Sequence, residues 1–155
     1  MPAVLFYIPL VDWVQQTIRQ MNAAGRDDFK TWSNYWLKTY VDLGGTNVIN
    51  SGPKGCPKHA AYGLWSLGRI ANGGRAFQNW TIGKINRELG KNAAYAVLAL
   101  DLLEKKHNWS QTGLWSKVQE SYQRKLGEPP AQSEQGAIKI AFGLFKEGIL
   151  VSRPQ

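Results

Sequence analysis

The chain has 155 residues, 43% of them hydrophobic and 19% charged, a balance that can build one core, so we predict a single domain over residues 1–155. No apolar run approaches the roughly 20 residues that cross a bilayer, and one cysteine excludes an internal disulfide framework or a cysteine-based zinc cluster. We therefore expect a cytoplasmic protein with no membrane role, whose net charge of +8 favours anionic partners without identifying one.

Helical spacing dominates the first third of the chain. Apolar residues recur at intervals of three and four from Leu10 to Met21, and Gly25 follows as a stop signal. A second apolar stripe predicts a helix that Asp27 can cap and that the glycine pair at residues 44–45 ends. The members of that stripe are Phe29, Trp32, Trp36, Tyr40 and Leu43.

A run of turn-forming residues over 44–55 predicts a loop, after which Pro57 suits the first position of a third helix. This helix is expected to extend to about Ala71. It is apolar on most sides, and its glycines, Gly63 and Gly68, allow a neighbouring backbone to approach closely. We therefore predict that the third helix is central.

Four further helices are predicted in the second half of the chain. Their ranges are about 81–89, 92–106, 112–126 and 133–148. Residues 149–151 could form a short strand or tuck against the core. The fold class is therefore all-α (mainly α), with about six to seven helices in one compact domain.

One internal similarity raises the question of duplication. Residues 61–68 and 141–148 share the order Ala, aromatic, Gly, Leu, aromatic, two variable residues and a final Gly. Each segment also follows a predicted helix with a Trp-x-Lys start. A pseudo-repeat of two helical hairpins would explain the match. Coincidence among common core residues is the preferred interpretation, because the matches are short.

The positive charge is concentrated in the middle of the chain. No Asp or Glu occurs between Leu43 and Arg87, whereas six Lys or Arg residues do. A glycine-rich loop that leads into a helix N-terminus suits phosphate, sulfate or carboxylate. The alternative is that the loop only connects two helices and that its lysines are solvated. The predicted anion-binding residues are Lys54, Gly55 and Lys58, joined by Arg69 and Arg75 if the fold brings them near.

Cys56 and His59 are the candidate nucleophile and base, because a helix N-terminus and a neighbouring histidine both favour a thiolate. A structural or merely exposed thiol is the preferred interpretation. The two histidines and scattered acids show no metal-ligand spacing. We therefore predict no metal site and no cofactor.

Two aromatic residues and one motif bear on nucleic-acid binding. Trp65 and Trp80 lie outside the apolar stripes and are candidates for base stacking or for lining a pocket. Residues 81–92 resemble the first helix and turn of a helix-turn-helix, but the helix that follows lacks the polar face a recognition helix needs. We predict that this following helix belongs to the core.

These observations favour a non-enzymatic domain that binds an anionic ligand, either nucleic acid or a phosphate-bearing molecule, at the basic loop and helix N-terminus. The first alternative is a module for self-association as a homo-oligomer or for binding a protein partner, with no nucleic-acid role. The second alternative is a cysteine-dependent enzyme that uses Cys56 and His59.

Overall fold

Helices account for most of the secondary structure. A computed structural model of the chain describes residues 3–46, 56–133 and 136–153. The elements, in chain order, are β1 (Val4–Leu5), β2 (Ile8–Pro9), α1 (Leu10–Ala24), α2 (Phe29–Asp42), α3 (Cys56–Ser66), α4 (Ile82–Leu89), α5 (Lys91–Lys105), α6 (Gln111–Leu126) and α7 (Ala137–Lys146). The prediction of a mainly helical single domain is confirmed. None of the helices in the described part of the chain is long and apolar enough to cross a membrane.

The sequence analysis missed the N-terminal hairpin. Strands β1 and β2 pair antiparallel with Leu5 opposite Ile8, and Phe6 and Tyr7 form the two-residue turn. Both turn residues have positive φ, at 51° and 66°. Such turns usually contain Asn-Gly or Gly-Gly, because bulky side chains disfavour this conformation. The usual sequence signal for a hairpin is therefore absent here.

The first two helices form where the apolar stripes predict them. Gly25 adopts the left-handed conformation that ends α1. The N-cap of α2 is Asp28, whereas the sequence analysis favoured Asp27. The Asp28 carboxylate accepts hydrogen bonds from the backbone N–H and the hydroxyl of Thr31, and these bonds hold the pKa of Asp28 below its usual value.

Two predicted helix boundaries are wrong. Helix α3 ends at Ser66 and not near Ala71, because Gly68 adopts φ 70° and packs against the backbone of residue 76 too closely for any side chain. Helix α7 begins at Ala137 and not at Ser133, after Gly136 with φ 104°. In the segment after α3, Ile70 forms an isolated antiparallel bridge with Leu150 of the C-terminal tail.

Helix α5 is the centre of the fold, since it contacts α3, α4, α6 and α7. The prediction that this helix belongs to the core is confirmed. The prediction that α3 is central is also confirmed, because Gly63 lies directly against Ala93 of α5. The buried residues of α5 are Ala93, Ala94, Tyr95, Ala96, Val97, Leu98, Ala99, Leu100 and Leu103.

The structure does not confirm the pseudo-repeat. Gly63 and Gly143 occupy matching positions in the two similar segments, but they meet different neighbours. Gly63 faces α5 at Ala93, whereas Gly143 faces Leu10 and Ala3 at the N-terminal end of the domain. The two glycines therefore allow close packing against different parts of the domain.

Replacing Gly63 by Ala tests this packing. An added Cβ would lie 2.4 Å from the Ala93 Cβ, so we expect an overpacking cost of about 1–3 kcal/mol, which outweighs the better helix propensity of Ala. Gly83→Ala is the matched control in α4, because its Cβ would meet nothing closer than 3.7 Å. Thermal denaturation should show a lower Tm for Gly63→Ala and an equal or higher Tm for Gly83→Ala.

Candidate functional site

Four tryptophans form a buried chain of stacked rings between α1, α2 and α3. Ring centroids are 4.2 Å apart for Trp13 and Trp36, 5.9 Å for Trp36 and Trp32, and 5.3 Å for Trp32 and Trp65. Trp65 is only 1% exposed, and its indole N–H donates to the carbonyl of Gly73. Burial therefore removes Trp65 from the surface or pocket position that the sequence analysis assigned to it.

The predicted anion site at the start of α3 is only partly visible. Lys54 and Gly55 lie outside the described residues. The Lys58 ammonium lies 5.4 Å from the centre of the Phe29 ring, and the His59 ring is 4.3 Å from the same ring. Lys58 and His59 therefore share one aromatic neighbour at the N-terminal end of α3.

Arg75 reaches the same side of the molecule. Its guanidinium pairs with the Asp27 carboxylate at 3.3 Å, while the hydroxyl of Tyr62 donates to the Asp27 carbonyl at 2.6 Å. Tyr62 in turn packs edge-on against Phe29. Burial of Tyr62 raises the pKa of its hydroxyl. These contacts link Arg75, through Asp27, Tyr62 and Phe29, to the part of the surface that holds Lys58.

Arg69 lies apart from that surface, beyond the C-terminal end of α3. It is 2% exposed, and its guanidinium pairs with Glu104 at 3.1 Å and with Asp101 at 3.6 Å, both on α5. It also donates to the carbonyl of Val151. Arg69 therefore holds α5 and the C-terminal tail together, and it does not join Lys58 at the other end of the helix.

Cys56 is the half-buried first residue of α3, so the candidate thiol occupies the predicted helix N-terminus. His59 lies one turn along, with its ring against Phe29. Among the described residues, no three or more His, Cys, Asp or Glu side chains are grouped as a metal site would require.

Trp80 lines an open cleft of about 510 Å³ that we call the Trp80 cleft. Its walls come from the segment before α4, the first residues of α4, the middle of α5, the end of α6 and the C-terminal tail. The lining residues are Asn79, Trp80, Thr81, Ile82, Gly83, Asp101, Lys125 and Arg153. The cleft thus joins residues from four separate parts of the chain, namely 79–83, Asp101, Lys125 and Arg153.

The charges in the Trp80 cleft are unevenly paired. Arg153 donates to Asp101 at 3.2 Å and to the side chain of Asn79, and Asp101 is shared with the buried Arg69. Lys125 forms no ion pair with any described residue and is exposed. At the rim, the Lys84 ammonium lies 4.2 Å from the centre of the Trp80 ring. The cleft is therefore net positive, with its one carboxylate already neutralised.

The first residues of α4, Ile82 and Gly83, line the Trp80 cleft. Thr81 is the N-cap, and its hydroxyl accepts from the Lys84 N–H at 3.2 Å. Helix geometry gives the first N–H groups of a helix, here those of Ile82 and Gly83, no partner inside the helix. Such groups carry partial positive charge, which suits a negatively charged ligand group.

Sequence reasoning found Trp80 but missed Lys125, Arg153 and Asn79. Lys125 is 45 residues from Trp80 and Arg153 is 73 residues away, and neither belongs to a recognisable motif. The acid-free window over residues 43–87 was the available signal for positive charge near Trp80. It could not indicate which distant cations the fold would bring to that segment.

A model of a family of unknown function, DUF6979, matches residues 12–151. The chain belongs to this family. Comparisons with curated proteins and with solved structures give no match. The DUF6979 match begins in α1 and ends in the C-terminal tail, so it includes the lining residues of the Trp80 cleft except Arg153. The N-terminal hairpin also lies outside the match.

The ion pairs of Arg69 can be tested by replacing Glu104 with Gln. We expect unfolding to become easier by about 1–3 kcal/mol, because a buried guanidinium loses a charged acceptor. Asp42→Asn is the control, since its pair with Lys38 is exposed on both sides and such pairs contribute about 0.5 kcal/mol or less. Urea denaturation of both variants should show the difference. Equal small losses would contradict a structural role for Arg69.

Proposed function

We propose that this domain binds, without catalysing a reaction, a phosphate-bearing ligand in the Trp80 cleft. The observation that carries the proposal is the convergence of Lys125, Arg153 and the first residues of α4 beside an aromatic ring in one cavity. Charged hydrogen bonds of this kind hold phosphate oxygens well. The ring of Trp80 offers an apolar face to whatever the phosphate is attached to.

The dimensions of the cleft support a small ligand or part of a larger one. Ligand cavities usually enclose roughly 300–1,000 Å³, and this cleft of about 510 Å³ lies within that range. Because the cleft is open and several of its lining residues are exposed, a longer molecule could enter without a conformational change. A nucleotide fits this description, either alone or within a strand.

Asp101 is the one lining residue that would repel a phosphate. Its carboxylate lies 3.2 Å from Arg153 and 3.6 Å from Arg69, so two guanidinium groups offset one negative charge. The repulsion on a ligand is therefore weak, and Asp101 serves to orient Arg153. The positive charge of Lys125 has no such acidic partner among the described residues.

The basic loop before α3 remains a second prediction for the same chemistry. Lys58 and Arg75 are linked through Phe29, Tyr62 and Asp27, which supports a positively charged surface on that side. The proposed cytoplasmic location likewise rests on the single cysteine and the reducing compartment that this suggests. The cysteine-dependent enzyme stays the weakest candidate, because no Asp or Glu that could orient His59 occurs in the sequence between Leu43 and Arg87.

Replacing Lys125 by Gln should weaken binding of a fluorescent nucleoside triphosphate about tenfold, because one charged hydrogen bond to the ligand is lost. Lys117→Gln is the matched control: it lies on the same helix, is also exposed and removes the same charge, but lies outside the cleft. Fluorescence anisotropy at low salt measures both, with inorganic pyrophosphate as competitor.

Two results would contradict the proposal. The first is the absence of saturable binding of the nucleotide at low salt. The second is an equal loss in the Lys117→Gln and Lys125→Gln variants, which would indicate attraction by net charge alone.

Self-association is the second candidate function, and the N-terminal hairpin favours it. Tyr7 is 98% exposed at the tip of the hairpin, in a left-handed conformation that costs a bulky residue about 1–2 kcal/mol. Beside it lies an open cavity of about 290 Å³, lined in part by Ile8, Tyr40 and Leu43. An exposed ring next to a partly apolar cavity suits contact with another protein surface.

Replacing Tyr7 by Asn separates the folding and association roles of this residue. Asn tolerates the left-handed conformation, so we expect the domain to become more stable by up to about 1 kcal/mol. If the hairpin mediates self-association, the same variant should be monomeric where the wild type is not. Sedimentation equilibrium across a wide concentration range measures this, and a wild-type monomer at the highest concentration would remove the candidate.

A further inference from the structure

Three pairs of a cation and an aromatic ring surround the segment that leads into the Trp80 cleft. Arg75 lies 5.3 Å from the centre of the Trp65 ring, Arg69 lies 5.3 Å from that of Phe77, and Lys84 lies 4.2 Å from that of Trp80. Because Trp65 and Arg69 are themselves buried, the exposed or half-buried members of these pairs are Arg75, Phe77, Lys84 and Trp80.

The segment itself is open to solvent. Residues 75–81 are irregular, between the turn at Gly74 and the start of α4. Arg75, Gln78 and Asn79 are exposed, whereas Phe77 and Trp80 are half-buried. The half-buried position fixes the rings, so a ligand that stacks on them orders few additional side chains.

The charge along this segment suits a chain of phosphates. No Asp or Glu occurs between Arg69 and Arg87. The exposed cations are Arg75 within the segment and Lys84 and Arg87 just after it in the chain, whereas Arg69 is buried in its own ion pairs. Two described carboxylates, Asp27 beside Arg75 and Asp101 in the cleft, are both paired with arginine. A polyanion that follows the segment would therefore meet no unpaired carboxylate among these groups.

We propose that the ligand of the Trp80 cleft is single-stranded nucleic acid, which leaves the cleft along residues 75–81 toward Arg75 with its bases against Trp80 and Phe77. This inference rests on the proposed function, since the cleft holds one phosphate of the strand. Proteins that bind single strands combine a basic track with aromatic rings on which bases stack. This segment provides both features along one length of chain.

The length of the segment agrees with an extended ligand. Five residue steps from Arg75 to Trp80 span at most about 17 Å. A stacked strand rises about 3.4 Å per nucleotide, so up to about five nucleotides fit between the two residues.

A duplex fits this surface less well, because its paired bases are hidden from Phe77 and Trp80. Groove reading needs an exposed helix with polar side chains. The helix that follows the turn at Gly90 is α5, whose residues are largely buried in the core. The structure therefore favours a strand with unpaired bases.

The binding experiment compares four fluorescent probes by anisotropy with the full chain: a 12-nucleotide single strand of DNA, the same length of RNA, the corresponding DNA duplex, and a nucleoside triphosphate. We expect the single strands to bind at least tenfold more tightly than the duplex or the triphosphate. A difference between the DNA and RNA strands would identify which of the two is the natural ligand class.

Phe77→Leu tests the path beyond the cleft, and it should weaken strand binding about 5- to 150-fold, the range expected for one stacked base. Binding of the triphosphate should change less than twofold. Phe142→Leu is the matched control, because Phe142 is also half-buried with a lysine over its ring, yet lies on α7. Gln78→Glu is a second variant that keeps the packing of Phe77 and adds a repulsive charge to the segment.

The outcomes separate this inference from the proposed function. If the triphosphate binds as tightly as the strand, and neither Phe77→Leu nor Gln78→Glu affects the strand, the cleft holds a small ligand and the inference is wrong. Equal or tighter binding of the duplex also overturns it. If none of the probes binds at low salt, the proposed function itself fails.

Discussion

The buried guanidinium of Arg69 is the contact on which the candidate site depends. A charge in the core must be paired, and Arg69 finds its partners in Asp101 and Glu104 of α5 and in the carbonyl of Val151. These bonds connect the end of α3 to the central helix and to the C-terminal tail. The tail is held again by the bridge between Ile70 and Leu150. One ionic cluster thus fixes three distant parts of the chain.

The geometry of the Trp80 cleft follows from that cluster. Because Asp101 is fixed by Arg69, it can hold Arg153 at the wall of the cleft. The same arrangement neutralises Asp101, so Lys125 and the start of α4 face an environment with little negative charge. A structural ion pair and a ligand site therefore share one carboxylate. Loss of the Arg69 guanidinium would leave the Asp101 carboxylate with one fewer cation beside it and would free Arg153 to move from the wall of the cleft.

Most of the helical architecture could be predicted from the sequence, since long apolar stripes with three- and four-residue spacing dominate α1, α2 and α6. The errors lie where backbone conformation overrides spacing. Gly68 ends α3 early because its φ of 70° turns the chain against residue 76. The turn at Phe6 and Tyr7 could not be predicted from the sequence, because neither residue type favours positive φ. Local strain of this kind is invisible to periodicity.

The candidate site was only half predictable, for a different physical reason. Trp80 stood out because it lies outside any apolar stripe and within a segment that lacks acids. The sequence does not indicate that Lys125 and Arg153 belong to the site. A cation at the end of a helix or in a tail is expected to be solvated unless tertiary contacts place it beside other site residues. What brings them to Trp80 is the packing of α4 and α6 with α5 and the anchoring of the tail by Arg69. The positive charge of a ligand site can therefore be predicted from composition. Which residues form the site depends on contacts between residues far apart in the chain.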